Sequence, residues 1–377
     1  MKLILRYWIG ILYLFGMIAC SHLPQTSTQE CSSSDTIRYA KGFTVQRFEK
    51  YISVEVHDPW DSTRLLQRYL LVDRNRVGQV DLPSGTVVPV PIQNIVVHSS
   101  VHTAIIDQLG ETGRIIGVYE SRYIDTPAVQ EGIKNGRIVD MGEATTPNIE
   151  LMIDRGVELV IVSPFQNSGY GTVEKLGIPI IEGADYMESL PLGRTEWIRF
   201  YGLLFGKEEL ADSIFRETEK RYLDLSRLTA KVSARPTVFS EKRYGASWFM
   251  PAGESYMAHL FRDAGADYLF QYLPGSGSKP LPFEKVLNDA IHADRWLIKY
   301  HLSEEMTYDD LRMEYTPYEY FDAFKKGQIY TCNTGLVPYY EEFPLHPDYL
   351  LADLIWIFHP DLLPEDYLPR YYRKMTF

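Results

Sequence analysis

Cysteine is scarce: three in 377 residues, at Cys20, Cys31 and Cys332. No CxxC pair occurs, which excludes a thioredoxin-like dithiol and a cysteine-rich zinc knuckle. There is no HExxH and no glycine-rich phosphate loop, so two common catalytic signatures are missing. Positive charge is also short. Lys and Arg total 38 against 50 Asp and Glu, a net charge of −12, and nucleic acid is a poor partner for a surface without clustered cations. Long apolar runs are absent beyond the first twenty residues. What remains is globular in composition, 45% hydrophobic and 23% charged, with 27 tyrosines. Tyrosine serves amphipathic contact surfaces and strands equally well, so that number alone does not choose between them. A chain of this length exceeds one compact core and implies two domains with additions.

The N-terminus reads as targeting. Lys2 and Arg6 precede the apolar stretch Ile9 to Ala19, which is short for a membrane span. Met17-Ile18-Ala19-Cys20 follows and resembles a bacterial lipobox, with Met in place of the usual Leu. The reading is a cleaved leader at 1–19, a lipidated Cys20 and a polar tether at 20–35. Loss of Lys2 and Arg6 takes the charge to −14. An acidic body on a lipid tether fits the periplasm of a Gram-negative-type cell. There an oxidising envelope permits, without requiring, a Cys31–Cys332 disulfide.

Three rhythms follow. From 36 to 91 the chain is β-rich: "FTVQRF", "YISVEVHD" and "YLLVDR" are separated by turn signals such as Asp58-Pro59. From Ile92 strands alternate with helices. "IQNIVVHSS" and "RIIGVYES" are strands around the helix "VHTAIIDQLG". A helix over Ile149 to Arg155 then precedes the strand Leu159 to Val162 and, after a helix at Thr172 to Leu176, the strand "IPIIEG". This alternation predicts βαβ units on a parallel sheet, and strands apolar throughout predict that both sheet faces are covered. Residues 191–230 show helical periodicity with no strand, interrupted at Gly206. From 231 to 377 the alternation returns in "TVFSEKRYG", "SYMAHLFRDAGA", "FEKVLNDA", "RWLIKYHL", "QIYTCNTG" and "HPDYLLADLIWIFHP".

The order is therefore a first α/β lobe at 36–190, a helical linker and a second α/β lobe. It resembles the helical-backbone class of substrate-binding proteins of ABC transporters, those that carry ferric siderophores, haem and cobalamin. "NIVVHSSVHTAIIDQLG", "TTPNIELMIDRGVELVIVSPF", "LPLGRTEWIRFYGLLFGKEELADSIF", "ESYMAHLFRDAGADYLF" and "LPFEKVLNDAIHADRWLI" carry the likeness between about Ile92 and Pro360. The resemblance implies two three-layer α/β lobes with central, mostly parallel sheets, joined by a long interlobe helix. The stretch before Ile92 becomes a β-rich elaboration of the first lobe. A long helical connection is expected to limit hinge bending.

In open α/β sheets a ligand lies beyond the carboxyl ends of the strands. The residues there are the candidate wall of an interlobe cleft. In the first lobe they are His98, Ser99, His102, Ser121, Arg122, Tyr123, Phe165, Gln166 and Tyr170; in the second, Arg243, Tyr244, Trp248, Tyr300, His301, Cys332 and Asn333. Aromatic faces suit a chelator or macrocycle, and Arg suits its carboxylates or catecholates. Each has a plainer role available: Arg122 and Arg243 as surface ion pairs, Tyr123, Tyr244 and Trp248 as packing. His98 and His102 are read as cleft wall or as axial ligands to an already chelated metal, not as a free-metal site.

The resemblance also gives Glu150 and Glu284, one per lobe, the role of docking on arginine pockets of a permease dimer with its ATPase. As first-turn acids both also favour their own helix N-termini. The expected function is capture of a chelated iron complex by a monomeric, non-enzymatic binding protein without a cofactor of its own. A corrinoid is the alternative ligand on the same geometry. An enzyme on this fold is a further class, against which stands the absence of a paired nucleophile and base. A lipoprotein that binds its ligand with no permease is a third.

Overall fold

The computed structural model describes residues 31–167 and 169–377. The leader and Cys20 lie outside the described residues. Two parallel sheets organise the rest. The first runs, edge to edge, Ile180–Glu182, Leu159–Val162, Ile95–Val97, Ile115–Val118 and Val139–Asp140, all parallel. The second runs Asp267–Tyr268, Thr237–Ser240, Arg295–Tyr300 and Ile329–Asn333 in parallel, then Arg373–Lys374 antiparallel at its edge. Strand order reverses direction between Ile95–Val97 and Leu159–Val162 in the first sheet, and between Thr237–Ser240 and Arg295–Tyr300 in the second. These reversals mark where a crevice opens beyond the strand ends.

Before the first lobe, Ser33–Ser34, Phe43–Arg47, Ile52–His57, Leu65–Asp73 and Thr86–Val90 form a separate five-stranded sheet. Its last pair is parallel, the others antiparallel. Phe43, Val45, Val54, Val56, Tyr69 and Leu71 alternate inward, into the core that also holds Ile95, Val97 and Ile161. Tyr69 fixes the join: its hydroxyl donates to the Ile180 carbonyl at 3.0 Å and accepts from the Glu182 N–H at 2.8 Å. An edge strand with unpaired backbone groups is thereby closed.

Two helices, Pro191–Glu196 and Ile198–Phe205, lead to a third, Glu208–Thr229. Gly206 sits at φ 66° and ends the second helix in the left-handed cap that glycine adopts at low cost. The third helix enters both cores: Ala211 and Phe215 belong to the first-lobe cluster, Tyr222 to the second. Helix Pro347–Phe358 packs along it, with Arg221 Nε 2.6 Å from the buried Asp348 Oδ2. Asp353, also buried, accepts from the Tyr367 hydroxyl and the Arg370, Tyr371 and Tyr372 N–H groups. That carboxylate holds the C-terminal segment that supplies the antiparallel edge strand. Cys31 is exposed, Cys332 is buried in the second sheet, and the two are not bonded to each other.

Residues 38–42 are held by two buried carboxylates, Glu188 just before the linker and Glu196 on its first helix. Glu196 accepts from the N–H groups of Arg38, Tyr39 and Ala40 and from the Arg199 guanidinium. Glu188 accepts from the N–H groups of Lys41 and Gly42 and from the Trp197 indole. Glu196→Ala removes the acceptor shared by three part-buried N–H groups and the Arg199 guanidinium, and we expect a loss of about 2–3 kcal/mol. A lowered urea midpoint at unchanged slope checks this; a loss under about 1 kcal/mol would mean the segment is not anchored there.

Candidate functional site

The two faces of the first sheet are covered unequally. Helices Ser100–Gln108 and Pro127–Lys134 and the linker helix Ile198–Phe205 cover one face together with the added sheet. The other face has only short cover: helix Ile149–Asp154, capped by the Asn148 side chain, and helix Thr172–Lys175. Val160 and Val162 point to this second face by strand alternation. Between the short helices, the hairpin around 142–147 and the loop after Val162 lies a cavity of about 800 Å³. Its apolar lining is Val160, Val162, Ile180, Ile149 and Val173; its polar lining includes His98, Glu120, Glu143, Thr145, Thr146 and Tyr170. It opens where the sheet changes direction, since His98 follows Ile95–Val97 and Ser163 follows Leu159–Val162.

His98 is half-buried, its Nε2 3.9 Å from Glu120 Oε2 and its ring edge-on to Tyr119 at 5.9 Å. Burial pushes the imidazole below its ordinary value, His102 adds to this, and Glu120 opposes both. His98 is therefore a neutral donor of an electron pair near pH 7. Glu120 holds a left-handed backbone at φ 47°, its N–H bonded to the Gly142 carbonyl at 3.0 Å. Arg122 reaches back to Glu120 at 3.2 Å and lies over the Tyr123 ring at 4.7 Å. Tyr170 donates to Glu182 at 2.7 Å.

Of the candidates drawn from sequence, His98, Phe165 and Tyr170 line the cavity. Ser99 is the N-cap of helix Ser100–Gln108. Ser121 is bound to Asp140. Arg122, Tyr123 and Gln166 are exposed. His102 is a correction: it is fully buried, its Nε2 3.0 Å from Asp185 Oδ1, and Asp185 in turn meets Arg194 Nε at 3.1 Å. Burial alone would raise the Asp185 carboxyl, but His102 and Arg194 outweigh it and hold it low. The residue lies one helical turn inside the lobe, on the face turned to the core, and forms no cleft wall.

The second lobe departs further from expectation, since every lining residue of the cavity belongs to the first. Trp248 is fully buried, its indole bonded to the Ser240 carbonyl among Phe239, Trp296 and Tyr318; it sits on an inward position of strand Ser247–Pro251. Arg243 stacks on Tyr315 at 3.9 Å and bonds the Gly245 carbonyl. Tyr244 is 82% exposed. Tyr300 is buried and bonded to Glu305, His301 is exposed beside Thr334, and Asn333 is buried and caps the N–H groups of Leu302 and Gly335. Burial pushes the Cys332 thiol up to about 12, which leaves it protonated and unreactive. Burial alone would discharge Lys299, but Glu241 at 3.9 Å keeps it charged. The lobes touch where Tyr339–Glu342 packs on helix Ser100–Gln108, where Arg194 covers Phe343 at 4.9 Å, and where Thr195 donates to the Pro344 carbonyl.

The sequence reading missed Tyr119, Glu120 and the stretch Glu143 to Pro147. Glu120 ends "RIIGVYE", and a strand end placed one residue earlier would have found it. Glu150 and Glu284 are exposed first-turn acids of helices Ile149–Asp154 and Phe283–Ala290, one on each lobe.

Two α/β lobes on a shared helix, with a cavity beyond parallel strand ends, define a two-lobed solute-binding protein. Residues 95–334 match the periplasmic binding protein family, and the chain belongs to that family. An uncharacterized lipoprotein of Methanocaldococcus jannaschii is 26% identical over 289 residues, 73% of this chain and 67% of that protein. A periplasmic heme binding protein from Pseudomonas aeruginosa superposes with a TM-score of 0.56 at 16% identity, covering 76% of this chain and 98% of the other. A possible iron-binding, periplasmic solute-binding protein from Staphylococcus epidermidis gives 0.55 at 18%, covering 70% and 97%. At these identities the structural matches establish the fold.

The His98 environment has a direct check. In a proton NMR titration its ring should turn over below the exposed-imidazole value of about 6.5, and lower again in Glu120→Gln, which removes the carboxylate that favours the charged form. A midpoint above that of an exposed histidine would show that Glu120 outweighs burial.

Proposed function

We infer that this chain is the substrate-binding lipoprotein of an ABC importer and that it captures a chelated metal complex, an iron chelate first and a corrinoid second. The cavity carries the inference. Its volume of about 800 Å³ lies within the range of small-ligand sites. Its largely apolar lining suits the organic shell of a chelator, and a neutral imidazole is part of it. Among the described residues that line it, none forms a nucleophile–base pair, which favours binding over turnover. Glu150 and Glu284 supply an exposed acid on each lobe. Such a pair would fix the orientation of both lobes on a basic permease surface and speed encounter.

Anchoring through Cys20 on the outer side of a membrane is part of the proposal. The lipoprotein relative supports the anchor. That relative is archaeal, so the Gram-negative-type setting expected from the leader has no support and is not carried forward.

Fluorescence titration with ferric siderophores, haem and corrinoids side by side tests the ligand. At least one should bind at micromolar concentration or tighter, and failure of all three overturns the chelate reading. For the permease, the double variant Glu150→Ala, Glu284→Ala should keep its ligand affinity and lose most uptake. Unchanged uptake would remove the docking role from these two residues.

A further inference from the structure

We propose that the first-lobe cavity selects chelates by charge, taking complexes with a neutral or cationic outer shell and rejecting anionic ones. This rests on the chelate reading above and specifies it.

Among the described residues that line the cavity, Glu120 and Glu143 are the charged side chains at neutral pH; no lysine or arginine lines it, and burial keeps His98 neutral. Arg122 is paired with one of these acids: it bonds Glu120 at 3.2 Å and stacks on Tyr123, with 65% of its side chain exposed to solvent. An anionic chelate would thus meet two lining acids and no lining cation, over a largely apolar surface where charges are poorly screened. Thr145 and Thr146 offer hydroxyls to neutral amide or hydroxamate oxygens instead. The net charge of −12 acts in the same sense at longer range. The backbone of Glu120 is tied to Gly142.

The test uses one chelate in two charge states: a linear ferric tris-hydroxamate with a free terminal amine, and the same molecule with that amine succinylated. The amine form should bind at least about tenfold tighter at low salt, with a smaller ratio at high salt. In Glu120→Gln, Glu143→Gln the ratio should fall to within about threefold, with circular dichroism and the urea midpoint unchanged. Equal affinity in the wild-type protein overturns the charge inference and leaves the chelate reading standing. An undiminished ratio in the folded double variant removes these two acids as its cause. If neither form binds, and haem and corrinoids do not bind either, the chelate reading fails and this inference with it.

Discussion

Everything in this molecule is referred to one helix, Glu208–Thr229. Phe215 lies in the core of the first lobe and Tyr222 in the core of the second. Seven residues of α-helix separate them, about 10 Å of rise. Two hydrophobic cores therefore share one helix, with an aromatic side chain of it packed in each. Helix Pro347–Phe358 reinforces this through the Arg221–Asp348 pair. On the first lobe, Glu188 and Glu196 tie residues 38–42 to the start of the same linker.

The cover of the first sheet is uneven. The added N-terminal sheet and three helices pack one face of the first sheet densely, while helices of six and four residues cover the other. The shortfall is the cavity, and it lies at the reversal of strand order. The added sheet also has a mechanical role there, because Tyr69 closes the backbone of Ile180–Glu182, the edge strand from which Ile180 faces the cavity.

The fold was readable because its signals are local. Apolar runs with turn signals at both ends gave the strands, and helical spacing gave the linker, including its break at Gly206. Elements made by non-local pairing were not readable. The parallel addition of Thr86–Val90 to Leu65–Asp73 and the return of Arg373–Lys374 to the second sheet have no period of their own. The candidate site was partly legible for the same reason. Position after a strand picked out His98, Phe165 and Tyr170, which line one cavity. It failed for Trp248, whose place depends on which face of a three-stranded side sheet turns inward, and for His102, whose helix face is chosen by Asp185, a partner 83 residues away.

The second lobe shows what a closed version of the same architecture looks like. At its reversal of strand order the space is filled: Glu241, in a left-handed backbone like Glu120, accepts the Trp296 indole at its carbonyl and pairs with Lys299 at its carboxylate. Lys299 lies in turn over the Tyr339 ring. Each lobe thus has a glutamate in a left-handed backbone close behind a strand, Glu241 directly after Ser240 and Glu120 two residues after Val118. In the second lobe that acid neutralises a lysine, and aromatic rings pack the region. In the first lobe the acid has a largely solvent-exposed arginine on one side and the cavity on the other. What differs is the surroundings of the acid: a paired lysine under packed rings in one lobe, and in the other an open space in which Tyr119 and Phe165 stand beside Val160 and Val162 without filling it.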